Sequence, residues 1–110
     1  MYARVWKFVI LPGKVAEFAA ATNATLAGLR GQQGFRGCLI LRGGPEEKLE
    51  ATVVSTWESL VALRNSETSG FQEGLTRILS LVEHRPSMRE EEVMISEFPV
   101  RDPADTITDF

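Results

Sequence analysis

The sequence predicts an α+β fold, with two helices on one face of a four-stranded antiparallel sheet, in the order β-α-β-β-α-β. Three observations predict it. Four runs are rich in β-branched and aromatic residues, as strands are. Two segments repeat apolar residues at steps of three and four, as amphipathic helices do. Pro-Gly, Gly-Gly-Pro and Arg-Pro steps separate several of these runs. A chain of 110 residues has room for one core. Residues 1–100 are expected to form the domain, and 101–110 an acidic C-terminal tail.

The elements follow in order. Residues 2–11 (YARVWKFVIL) form the first strand. Alternation puts Tyr2, Arg4, Trp6, Phe8 and Ile10 on one face and Ala3, Val5, Lys7, Val9 and Leu11 on the other. Both faces are largely apolar, so the strand needs cover on both sides. Pro12-Gly13 ends it. Val15, Phe18, Ala19, Thr22, Leu26 and Leu29 then mark one helical stripe, with Gly31-Gln32-Gln33-Gly34 as its stop. Residues 35–41 (FRGCLIL) and 49–57 (LEATVVSTW) form a hairpin around a turn at 42–47. Ser59 caps a short helix over 60–65, and Thr68-Ser69-Gly70 interrupts it. Phe71, Leu75, Ile78, Leu79 and Val82 make the second stripe, in a helix ending near His84 before Arg85-Pro86. In the charged stretch Arg89-Glu90-Glu91-Glu92, the three glutamates are expected to be a solvated turn and not a metal site, and residues 93–98 (VMISEF) the fourth strand. This order is the ferredoxin-like split βαβ unit. Val5, Val9 and Leu11 leave the second sheet face apolar, and such a face marks an interaction surface. A homodimer packed sheet against sheet is expected.

Composition excludes several classes. Twelve Lys and Arg against fifteen Asp and Glu give a net charge of -3, without the basic excess that broad nucleic-acid binding needs. No apolar run approaches the roughly 18 to 20 residues that span a bilayer. The first residues carry charges within their apolar run and no cleavage signal, so a cytoplasmic location is expected. One Cys and one His argue against a disulfide framework and against a transition-metal site. The glycines form no phosphate-binding loop pattern.

Three stretches carry a family resemblance: Tyr2 to Phe18 (YARVWKFVILPGKVAEF), Gly34-Phe35-Arg36-Gly37, and Val54-Ser55-Thr56-Trp57-Glu58-Ser59 leading into Ala62-Leu63, with Phe71 on the next helix. Over about residues 2 to 98 the chain resembles the antibiotic biosynthesis monooxygenase family. The resemblance implies a dimeric α/β barrel with a pocket between helices and sheet in each protomer. It also implies oxidation of aromatic phenols without metal or flavin, or, in other members, haem binding and degradation. Where haem-degrading relatives carry an Asn, a second Trp and a His, this chain has Trp6, Ser66 and Leu75. Haem degradation therefore does not carry over. Phenol-oxidising relatives carry an Asn before the signature Trp and a Tyr after it, at positions held here by Val53 and Leu63. Trp57 alone survives.

The residues themselves suggest roles. Trp57 can stack on a planar substrate and donate its indole N–H, or anchor its strand in the core. Trp6 and Phe8 share a face and can line an aromatic pocket or fill it. Arg4, on that same face, can hold a phenolate or carboxylate, or sit at the barrel rim. His84 has the ordinary pKa for acid–base work, yet its place at a helix end suits a capping charge. It is also the one imidazole available to a haem iron. Ser55 and Phe71 complete the candidate pocket. Cys38 has the character of a small buried hydrophobe. The expected function is cofactor-independent oxidation of a small hydroquinone-like aromatic. The alternative is a non-catalytic ligand-binding or dimerising protein of the same fold.

Overall fold

The computed structural model describes residues 1–97. The acidic tail, with Ile107 and Phe110, and the last residue of the expected fourth strand, Phe98, lie outside the described residues.

The strands are β1 (Tyr2–Val9), β2 (Phe35–Gly43), β3 (Glu50–Trp57) and β4 (Ser87–Glu92). The helices are α1 (Val15–Leu29), α2 (Leu60–Asn65) and α3 (Ser69–Leu79). The sheet is antiparallel with the order β2-β3-β1-β4. The expected fold class is the one observed.

Alternation along β1 sets the two faces. Phe8 stacks beside Trp6 at 5.8 Å and meets Phe18 of α1 edge-on at 5.4 Å. A buried cluster of Phe8, Ile10, Phe18, Ala51, Ile78 and Val82 joins α1 and α3 to the sheet. Leu26, Leu29, Trp57 and Leu63 form a second. Burying one such side chain contributes about 1.5–3 kcal/mol. The opposite face carries Val5, Val54 and Leu39 in one row, and Leu41 follows on β2. Leu39 and Leu41 are exposed.

Local chemistry explains the helix starts. The Ser59 hydroxyl accepts from the Ala62 N–H, as expected. The Thr68 hydroxyl accepts from the Phe71 N–H, so the residues read as an interruption begin α3. Each cap contributes about 1 kcal/mol. Gly74 lets α3 approach α1 closely, because a Cβ there would run into the Thr25 side chain. Gly34, at φ +85°, fits the chain between α1 and β2; a Cβ there would also meet Ala62. Within the stop read at Gly31-Gln32-Gln33-Gly34, the left-handed residue is Gly34 and not Gly31.

Two expectations are corrected. The fourth strand is not residues 93–98 but the charged run Ser87–Glu92. It is an edge strand paired to β1 through the backbone, and its side chains are exposed apart from the half-buried Glu90. Such a strand needs no apolar pattern. Helix α3 ends at Leu79, not near His84. Val82 bridges to Ile10 instead, and across the same junction the Leu11 N–H donates to the Leu81 carbonyl and the Glu83 N–H to the Val9 carbonyl. No helix among the described residues is long and apolar enough to cross a membrane.

Candidate functional site

The sheet face under the helices orders the site by cross-strand register. Arg4 of β1 lies between Ser55 of β3 and Glu90 of β4. The next row on that face places Trp6 between Val53 and Met88. Above these rows, α1 supplies Thr22, Thr25, Leu26 and Leu29, and α3 supplies Phe71, Leu75 and Ile78. Together with Trp57 and Ser66, these residues enclose a cavity between the layers. Its volume is about 40 Å³. That is room for a few water molecules, each of which needs at least roughly 10–15 Å³.

The walls are mostly apolar, and Arg4 is the charged residue lining the cavity. It is 2% exposed. A guanidinium buried that deeply needs partners. Its Nη2 lies 2.9 Å from Glu67 Oε1 and 3.4 Å from Glu90 Oε2. Its Cζ sits 5.9 Å from the centroid of the Phe71 ring, within cation–π range. Glu90 also pairs with Arg64 of α2 at 3.3 Å. The hydrogen bond from Arg64 holds the Glu90 carboxyl below the usual glutamate range, Arg4 adds to this, and partial desolvation opposes it.

Two buried polar atoms of the cavity lining make no hydrogen bond within the protein: Arg4 Nε and Thr22 Oγ1. Burying such groups unpaired costs about 1–3 kcal/mol each. The Trp57 indole N–H donates to Ser55 Oγ at 3.0 Å. Trp57 is thus both wall and core, its ring edge-on to Phe35 at 5.3 Å, and its N–H is committed to Ser55. Ser55 accepts that bond and keeps its own O–H to donate. The arrangement offers fixed donors and a hydroxyl inside an aromatic and aliphatic chamber.

Of the residues singled out in the sequence, Arg4, Trp6, Ser55, Trp57 and Phe71 come together here. Phe8 does not; it is buried in the neighbouring cluster. His84 does not either. It is exposed, with Nδ1 3.0 Å from the Arg85 carbonyl, in an outer groove with Leu79, Val82 and Pro86. Trp6 and Leu75 line both this groove and the inner cavity, and so form the wall between them. Thr22 was visible in the sequence as the polar member of an apolar stripe. Glu67 and Glu90 carried no local signal. Cys38 is half-buried, its thiol pKa raised by burial and partly offset by Arg30. Among the described residues no group of three His, Cys, Asp or Glu side chains is placed to hold a metal ion.

The sheet order, the helices on one face and the interlayer cavity define a fold class shared with solved structures of antibiotic biosynthesis monooxygenases. A variant of SnoaB, a cofactor-independent oxygenase from Streptomyces nogalater, matches with a TM-score of 0.76 at 20% identity, over 86% of this chain and 94% of that one. A protein from Caulobacter crescentus, provisionally named an antibiotic biosynthesis monooxygenase, matches with a TM-score of 0.75 at 19% identity, over 86% of this chain and 90% of that one. A conserved protein from Methanosarcina mazei matches with a TM-score of 0.72 at 17% identity, over 82% and 90%. No protein-family model matches the chain, and no curated protein sequence does.

Proposed function

We propose that this chain is a cofactor-independent oxygenase of the antibiotic biosynthesis monooxygenase type, acting on a small hydroquinone-like aromatic. One observation carries the reading: Arg4 Nε and Thr22 Oγ1 are buried without a partner in a cavity walled by Trp6, Phe71 and Trp57. A ring bearing oxygen substituents would complete both bonds and fill the apolar space. The likeness to SnoaB supports the reaction class.

In this reading a hydroquinone and dioxygen give a hydroxyquinone and water, the substrate supplying all four electrons. The protein supplies a dry chamber and orientation. The Arg4 Nε–H and the Ser55 and Thr22 hydroxyls hold the ring oxygens and meet negative charge as it develops on oxygen. Trp57 fixes Ser55, Phe71 lies against the ring, and Trp6 closes the chamber toward the outer groove. His84 lies outside this chamber and has no part in the step. An engineered apolar cavity of about 150 Å³ admits benzene, so a ring enters here only as Trp6 and Leu75 give way toward the outer groove.

The open sheet face, with Val5, Val54, Leu39 and Leu41, supports packing against a second copy. A native mass spectrum near twice 12.2 kDa is the expected result.

The test of the activity is oxygen uptake by metal-stripped protein over a hydroquinone and dihydroxynaphthalene panel, against the protein-free rate. Uptake that collapses in Arg4→Gln is expected. No uptake above the blank, with a ligand bound and released unchanged, would replace the oxygenase by the non-catalytic binding protein, a reading the small resting cavity favours.

A further inference from the structure

The charge balance around Arg4 says more about what the cavity takes. We infer that Glu67 and Glu90 set the charge of the ligand: by pairing with Arg4 they cancel the cavity's cation, so the site accepts a neutral hydroxy- or keto-aromatic and rejects one bearing a carboxylate. This rests on the cavity being a ligand site, as proposed above, but not on its being a catalytic one.

The cluster contains two cations, Arg4 and Arg64, and two carboxylates, Glu67 and Glu90, joined by contacts of 2.9, 3.4 and 3.3 Å. Its formal sum is zero. The hydrogen bond from Arg64 favours the ionised form of Glu90. Both carboxylates engage the same nitrogen, Nη2. Nε has no partner within the protein, and like every guanidinium nitrogen it donates and cannot accept. A ketone or phenol oxygen takes that bond at little desolvation cost. A carboxylate must shed its water and enter a largely apolar chamber whose cation is already paired, an expensive transfer. An oxyanion formed inside the cavity differs, because it arises against donors already aimed at it.

Elements distant in the chain build this balance. Glu90 faces Arg4 across the β1–β4 ladder. Glu67 follows the buried Ser66 at the end of α2. Both carboxylates are accessible, with side chains 44% and 25% exposed, so each can be neutralised without opening the core.

The experiment is a calorimetric titration of the full chain with a matched pair, 1-naphthol and 1-naphthoate, at neutral pH. The intact protein is expected to bind the naphthol at least tenfold more tightly. Glu67→Gln and Glu90→Gln each leave one uncancelled positive charge. Each is expected to narrow that preference severalfold by improving naphthoate binding, and the double variant to remove or invert it. Thermal melts confirm that the variants are folded. The inference is overturned if neither compound binds, if the intact protein prefers naphthoate, or if the preference is the same in all the variants. A preference that shifts as described in a protein showing no oxygen uptake upholds the inference and removes the oxygenase reading alone.

Discussion

Arg4→Met separates what Arg4 does for the fold from what it does for the site. The substitution keeps an unbranched apolar side chain at this position and removes the guanidinium that lies over the Phe71 ring. Two ion pairs are lost, to Glu67 and Glu90. Because both carboxylates remain partly exposed, and Glu90 keeps Arg64, neither is stranded as a buried charge. Pairs of that kind contribute about 0–1 kcal/mol each, so the loss is at most about 2 kcal/mol. Against it stands the unpartnered Nε, whose burial costs about 1–3 kcal/mol and disappears with the substitution. With the lost cation–π contact to Phe71 counted at about 0.5–2 kcal/mol, the balance lies between roughly 3 kcal/mol of destabilisation and about 2.5 kcal/mol of stabilisation. Urea unfolding followed by tryptophan fluorescence measures it, while 1-naphthol binding should fall at least tenfold. A stability loss above about 3 kcal/mol, the size expected for breaking a fully buried pair, would show that Arg4 is a structural residue and refute the reasoning.

Three further outcomes are expected. Trp6→Ala should join the inner cavity to the outer groove, tightening and speeding the binding of two-ring ligands. It should cost less stability than the roughly 3–5 kcal/mol of a fully buried Trp, because Trp6 is only half-buried; weaker naphthol binding would mean that the indole holds the ring and does not gate it. Gly74→Ala should destabilise by about 1–3 kcal/mol through overpacking, and Thr25→Ala in the same chain should restore most of this, since the Thr25 side chain is what the new methyl meets; equal melts for single and double variants would contradict the close α1–α3 approach. Glu90 has a folded pKa below its ordinary value of 4.5, so the unfolded chain binds the extra proton first. Its contribution is complete above that value and is lost as pH falls through the folded pKa. The stability difference between the intact chain and Glu90→Gln should therefore shrink on acidification below about 4.5, and a difference independent of pH from 3 to 6 would count against the pairing with Arg64 and Arg4.

Much of the site was legible because β1 alternates so clearly. Arg4 and Trp6 had to share a face, and the strand-ending Trp57 had to meet the helices. Phe8 has the same parity but a different fate, because Phe18 and Ile78 close over it. His84 was misplaced because its stripe continues past the end of the helix. Val82 is apolar whether it continues a helix or bridges to Ile10, and only the backbone bonds at that junction distinguish the two.

The fourth strand shows the same limit more sharply. Residues 93–97 are more apolar than Ser87–Glu92, and the apolar run was the better local candidate. Edge pairing is a backbone interaction, however, and in this register it sets Glu90 opposite Arg4. Local patterning by itself determined the element order, the helix cap at Ser59, and the aromatic and cationic face of β1, because those depend on near neighbours and on the periods of strand and helix. Tertiary structure decided that Arg4 would be neutralised by Glu67 and by Glu90, 86 residues along the chain, and that Nε and the Thr22 hydroxyl would be buried without a partner. Charge pairing depends on distance in space, and no spacing along the chain encodes it.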